Sequence, residues 1–290
     1  MVAALLAGWL AELAFAALLI RPFRLEFPLS NDFISFWTGA ALVRDGAGDA
    51  LFDVEAQSAL QHRLWLELAP GGTGRPATGY VPYYNPPPMA LLLVPLTLLP
   101  LPWAYAVWLL ASLLAFAAAV AFPLRGAPRA RMLALAMLTF PPVASTFLVG
   151  QVSWLLLLLA LSLGMLALVR GWRFLGGALL GLLWLKPQYA VLLPLVFLAK
   201  GRWRELIGMA GGGAAMAILS LVTVGTGGLL RYLELLREIG AFYPPPSGNV
   251  NPQDMMNYRG LLTNLAPGVA ESTGSAMVVG LGAATGLISL

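Results

Sequence analysis

No cysteine occurs anywhere in the chain, which excludes a disulfide framework, a thiolate metal site and a cysteine nucleophile. Histidine occurs once, as His62, so a transition-metal centre lacks its usual ligands. Charge is scarce as well. Charged side chains make up 10% of the 290 residues, against about 25% in an ordinary soluble domain. That shortage excludes a soluble globular protein, whose core would need a charged shell. Three motifs are also missing: the phosphate-cradling G-x-x-x-x-G-K-[ST], the nucleophile elbow G-x-S-x-G and the zinc-binding H-E-x-x-H.

What is present is hydrocarbon. Hydrophobic residues form 59% of the chain, mean hydropathy is +0.81, and several runs reach the roughly 20 apolar residues a bilayer span requires. The fold class this predicts is all-α: one polytopic membrane bundle over residues 1–290, with about eight membrane segments and no separate soluble domain. The net charge of +4 does not point to nucleic acid, because the basic residues sit in short clusters between apolar runs. The N-terminal MVAALLAGWLAELAFAALLI lacks a basic leader and exceeds a signal-peptide core in length, so it is read as a retained span.

Residues 89–124 and 132–169 carry no charge, and at 1.5 Å per residue each run would be about 55 Å long. Each must break. PLTLLPLP (95–102) divides the first into a short interfacial helix and one span, since interior proline removes a hydrogen bond. FPPVASTFLVGQ (140–151) divides the second into two spans. FLGGALLGLLWL and YAVLLPLVFLA are each too short to cross, and Lys186-Pro187-Gln188 separates them.

RGAPRAR (125–131), RGWR (170–173) and KGRWR (200–204) hold basic residues and no acid, which assigns them to the cytoplasm. The segment between the last two must then enter and return, with Lys186 at the tip of a hairpin placed mid-membrane. A span over about 206–228 leads outside. Residues 21–88 and 229–262 become two extracytoplasmic loops, the first bearing interfacial helices: one with the stripe Phe33, Phe36, Trp37, Ala40 and Ala41, another with Ala59, Leu60, Leu64, Leu66 and Leu68.

The candidate residues each have two readings. Asp32 either caps a helix, as Ser, Asn and Asp do, or acts as a general base whose pKa partial desolvation has raised. Lys186 either snorkels to a structural partner or faces a cavity or phosphate. Arg259, beside Asn257, is either an interfacial anchor or a guanidinium fork for phosphate. In VPYYNPPPM, the prolines launch a helix, while Tyr83, Tyr84 and Asn85 are candidates for a sugar pocket. Gln151 and Gln188 are candidate substrate contacts, and Gln151 serves equally to start the span after it. AGGGAAMA (210–217) reads as small-residue helix packing.

NDFISFW followed by LVRDGAGDALFD, YYNPPPMALLLVPLTLLP, GQVSWLLLLLAL, LLGLLWLKPQYAVLLPL and NYRGLL occur in this order over residues 29–264. Together they resemble glycosyltransferase family 87 of the GT-C membrane glycosyltransferases, similar to polyprenyl-phosphate-mannose-dependent alpha-mannosyltransferases of bacteria. The resemblance implies a multi-pass protein of the bacterial plasma membrane with an extracytoplasmic site. It implies a polyprenyl-phosphate sugar donor, most simply mannose, a hydroxyl of a lipid-linked or cell-envelope glycan as acceptor, inversion at the anomeric carbon, and no cofactor or obligatory metal. Asp32 matches the family's acidic residue in the first loop and Lys186 the Lys of its K-P hairpin; Arg259 falls in the late motif. Family members generally continue into further spans, so part of the donor groove is expected to be missing here or supplied elsewhere. Two other classes share some features: a lipid or solute transporter, for which a broken hairpin with an embedded Lys is typical, and a catalytically silent scaffold of the same fold.

Overall fold

The structure is a computed structural model that describes residues 32–68, 80–121, 143, 146, 147 and 149–240. Its helices are α1 (Asp32–Arg44), α2 (Val54–Leu68), α3 (Pro87–Leu93), α4 (Leu101–Ala121), α5 (Ser153–Val169), α6 (Arg173–Gly181), α7 (Pro187–Ala190), α8 (Leu193–Ala199) and α9 (Trp203–Gly240). Short 3-10 turns cover Gly48–Ala50, Val94–Leu98 and Leu182–Leu185. The described residues contain no strand, as the all-α expectation requires. The chain divides into two compact units, Met1–Leu233 and Glu234–Leu290, and the packing described below is that of the first. The N-terminal span, RGAPRAR and the final apolar segment lie outside the described residues.

Several helices stop by one device. After α1, before α5, after α5 and after α8, the residues Gly46, Gly150, Gly171 and Gly201 take positive φ. Each donates its N–H three residues back, to Val43, Phe147, Leu168 and Leu198, while the next residue donates five back. This paired pattern with glycine at C′ is the Schellman motif, which satisfies carbonyls that the helix end would leave bare. The glycines inside RGWR and KGRWR therefore end helices, whichever side of a membrane the flanking charges face.

α1 is covered on more sides than its stripe alone predicts. Nine residues in succession, Phe33 to Ala41, are buried, because α2, α3, α4 and the Val94–Leu98 turn enclose it. A Cβ on Gly39 would lie 2.8 Å from the Tyr83 ring, so α1 and the segment before α3 are in direct contact. α2 buries Leu64 of the expected stripe together with Gln57 and Gln61, while Leu66 is exposed. The glutamines are inside because extended backbone needs partners there. Gln61 Nε2 donates to the Val81 carbonyl and Gln61 Oε1 accepts from the Val81 N–H, both at 2.8 Å. Gln57 Oε1 likewise accepts from the Tyr83 N–H at 2.8 Å, and its Nε2 donates to the Leu51 carbonyl at 2.7 Å.

The proline-rich break comes where the sequence predicts it. α3 starts with Pro87 and Pro88, the Val94–Leu98 turn follows, and Leu99 is extended before α4 begins. α4 exposes Trp103, Val107, Leu110 and Leu114 along one side. Two helices among the described residues are long and apolar enough to cross a bilayer, Leu101–Ala119 and Trp203–Arg237.

α5 and α6 run antiparallel, closely enough that a Cβ on Gly164 would meet Leu180 at 2.7 Å and one on Gly176 would meet Leu168 at 2.4 Å. α6 and α9 run parallel. Cβ atoms on Gly177, Gly208 and Gly212 would strike the facing backbone of Glu205, Phe174 and Ala178 within 2.0 to 2.5 Å. Gly212 belongs to AGGGAAMA, so small-residue packing is its observed role. Parallel α6 and α9 require the chain between them to return, and Arg173 Nε indeed lies 3.9 Å from Glu205 Oε1. RGWR and KGRWR therefore sit at one end of the bundle, as the hairpin reading predicts.

Lys186 is bonded to Gln151 at the start of α5, and the 17 residues of α5 separate that level from Arg170 by about 26 Å.

α9 bends at Gly225, whose φ of 67° and ψ of −177° only glycine adopts readily. The loop at Gly48 rests on this bend: a Cβ there would lie 2.0 Å from the Thr223 carbonyl oxygen. Phe52 then stacks on Tyr232, ring centroids 4.8 Å apart. Residues 229–240, expected to open the second external loop, are helical, and the rest of that loop lies outside the described residues.

Candidate active site

Three elements distant in sequence converge on one polar chain. Asp32 opens α1, Gln151 precedes α5 and Lys186 follows the Leu182–Leu185 turn. Lys186 Nζ donates to Gln151 Oε1 at 2.7 Å, and Gln151 Nε2 donates to Asp32 Oδ2. The acid and the cation thus share one neutral amide.

Burial pushes the Asp32 carboxyl above its ordinary 3.8, while the Gln151 hydrogen bond and the Lys186 charge pull it back. Burial prevails, because removing a carboxylate from water penalises its charged form. A carboxylate of this kind is a stronger base than a solvated one. Its position in the first turn of α1 also places it near free backbone N–H groups, as the cap reading required. The carboxylate nonetheless engages Gln151, on another element.

The backbone beneath Gln151 is fixed by packing. Gly150 takes φ 72°, and a Cβ on it would lie 2.7 Å from Cβ of Phe33, the neighbour of Asp32. Trp108 Nε1 on α4 donates to the Gly150 carbonyl at 2.9 Å. Phe33 meets Tyr105 edge-on, with ring centroids 5.5 Å apart, and lies 6.2 Å from the Trp108 ring. Phe33 is a neighbour that the sequence itself puts beside Asp32, but Gly150 and Trp108 were missed. The glycine before the span was a visible end-of-helix signal, but nothing in sequence marks Trp108 as its partner.

Lys186 also borders a small recess with a volume of about 10 Å³, room for about one water, lined otherwise by Val152, Ser153, Leu182, Leu183, Leu185 and Tyr189. An ammonium at the edge of an apolar recess suits an amphiphile with an anionic head. The remaining candidates divide. Tyr83 is fully buried, donates its hydroxyl to the Pro86 carbonyl at 3.0 Å and packs against Phe52, so its ring belongs to the core and offers no face to a sugar. Tyr84 and Asn85 remain partly exposed beside it. Gln188 lies in the short α7 next to Lys186. Asn257 and Arg259 lie outside the described residues.

The comparison with protein families gives one match: the model of glycosyltransferase family 87 covers residues 83–289. No curated protein and no solved structure matches the chain. The matched region takes in YYNPPPM, GQVSW, KPQ and NYRGLL but begins after Asp32, which is tied to the site by its bond to Gln151 instead. With well over half its length matched, and with apolar helices that fit a bilayer, this chain belongs to glycosyltransferase family 87 and is a membrane glycosyltransferase.

Proposed function

We propose that the chain transfers a sugar, mannose by preference, from a polyprenyl-phosphate donor to a hydroxyl of a lipid-linked or cell-envelope glycan, with inversion. The observation that carries this reading is the Asp32–Gln151–Lys186 chain, which supplies a desolvated base and a cation at one place. Asp32 takes the proton of the acceptor hydroxyl as its oxygen forms a bond to the anomeric carbon. The bond from that carbon to the phosphate oxygen breaks, and the lipid phosphate leaves with the electron pair. Lys186 meets the negative charge that grows on the phosphate, and Arg259 is a second candidate for that work. Tyr84, Asn85, Gln188 and Asn257 are the polar groups proposed to contact the sugars.

A lipid donor accounts for a membrane-embedded enzyme: its tail lies against apolar helices while its phosphate reaches Lys186. The apolar side chains around Lys186, among them Leu182, Leu183 and Leu185, support that arrangement. The same reading places the site on the extracytoplasmic side of a bacterial plasma membrane, in a bundle of about eight segments, with RGWR and KGRWR cytoplasmic. Neither a cofactor nor an obligatory metal enters the proposed displacement. The test is a transfer assay on the reconstituted full chain with a panel of polyprenyl-phosphate sugars, comparing wild type with Asp32→Asn. Transfer from a lipid-phosphate donor that collapses in the variant is the expected result. Full-rate transfer by Asp32→Asn would remove the catalytic assignment, and labelled lipid crossing vesicles without sugar transfer would favour a transporter.

A further inference from the structure

The amide of Gln151 has one orientation open to it. Lys186 can only donate, so Oε1 must face the ammonium, and Nε2 is then turned to the carboxylate. Reversing the amide would set donor against donor and acceptor against acceptor. Its backbone has as little freedom: the Gly150 turn, the Trp108 hydrogen bond and the Phe33 contact hold it against the residue next to Asp32.

We propose that Gln151 is a positioning residue, a neutral spacer that keeps the Asp32 carboxylate and the Lys186 ammonium within reach of one another while preventing a direct ion pair. The inference rests on the reading of Asp32 as the base. A direct pair would spend both groups on each other: the carboxylate would lose basicity and the ammonium would be unavailable to a phosphate. Coulomb attraction falls inversely with distance, so an interposed amide weakens the pairing without abolishing it. Lys186 can then exchange the amide oxygen for a phosphate oxygen, while Gln151 Nε2 still holds the carboxylate. Lys186 is the charged group acting on Asp32, and Tyr105 of α4 is the titratable side chain packed against neighbouring Phe33.

Two substitutions separate the spacer from an ordinary packing residue. Gln151→Met keeps the length and removes the hydrogen bonds, whereas Gln151→Ala opens a path for Lys186 to reach Asp32. Infrared titration of the full chain in lipid nanodiscs, each protein compared with its Asp32→Asn counterpart, isolates the Asp32 carboxyl band. The Asp32 midpoint should rise by about one unit in Gln151→Met, where a donor to the charged form is lost, and fall by a similar amount in Gln151→Ala. In both variants kcat for polyprenyl-phosphate mannose should fall roughly tenfold or more, with KM within about threefold. Midpoints that stay in place or move in the same direction would overturn the proposal. Should Gln151→Ala fail to fold, an unmoved midpoint in Gln151→Met alone would do so. Failure of the functional reading looks different: Asp32→Asn would keep its transfer rate while the infrared shifts persisted.

Discussion

Among the described residues, half-buried Asp32 and buried Glu205 each lie in the first turn of a helix near one basic side chain, and they are arranged in opposite ways. Asp32 is linked through Gln151 to Lys186, with every bond of that chain made. Glu205, at the other end, is more enclosed than half-buried Asp32, yet its Oε2 has no hydrogen-bond partner. Its Oε1 lies 3.9 Å from Arg173, whose side chain is 62% exposed. One acid is poised in a polar chain beside a pocket; the other lies where α6 meets α9 and is covered by their packing. Burial with a cation nearby therefore does not define the site. The bonded amide is what sets the candidate site apart.

That contrast can be broken from either side. The largest effect is expected from Asp32→Asn, which should reduce kcat by about a thousandfold, within the range of a lost general base, in the reconstituted transfer assay. Lys186→Ala should follow with a loss of roughly a hundredfold, and Lys186→Arg should restore part of it because a cation returns to the same place. At the opposite end, Gly177→Ala would drive a Cβ to within 2.0 Å of the Glu205 carbonyl oxygen. The two helices must then part, lowering stability by about 1 to 3 kcal/mol, read as a reduced unfolding temperature in nanodiscs.

Asp32 also makes stability depend on pH. Its folded pKa lies above the 3.8 of a free Asp, so the folded state holds the proton more tightly than the unfolded state. Its stabilising contribution is full below 3.8 and is lost as pH rises through the folded pKa. Thermal unfolding across that window should show the decline in wild type and lack it in Asp32→Asn. The smallest effect is expected from Glu205→Gln, since exposed Arg173 is screened by solvent and such pairs are worth less than about 1 kcal/mol. Its transfer rate should stay within about threefold of wild type, and a loss as large as that of Asp32→Asn would erase the distinction between the two ends.

Much of the architecture was legible because it depends on local or compositional physics. The break at PLTLLPLP follows from proline's missing donor, and the return between RGWR and KGRWR follows from two basic clusters sharing one end. In α2 the leucine spacing finds Leu64 but says nothing about Gln57 and Gln61, which satisfy the backbone of residues 81–83. In α1 a partial stripe looks alike in a helix with one covered face and in a helix covered all round. Of the site, Asp32, Gln151 and Lys186 were each singled out from sequence, but Tyr83 was grouped with Tyr84 and Asn85 although its ring is in the core.

By itself, the sequence determined a helical membrane protein without thiol chemistry, the positions of its breaks, and an acid and a lysine costly enough to need a reason. Hydrophobicity, proline and glycine act over one or a few turns, so they can be read along the chain. Only the tertiary structure decided that Gln151 stands between Asp32 and Lys186, that Trp108 and Phe33 hold Gly150 beneath it, and that Glu205 is buried by packing alone. The hydrogen bonds among them cross intervals of 35 to 119 residues, and a contact made through space leaves no period or spacing in the chain.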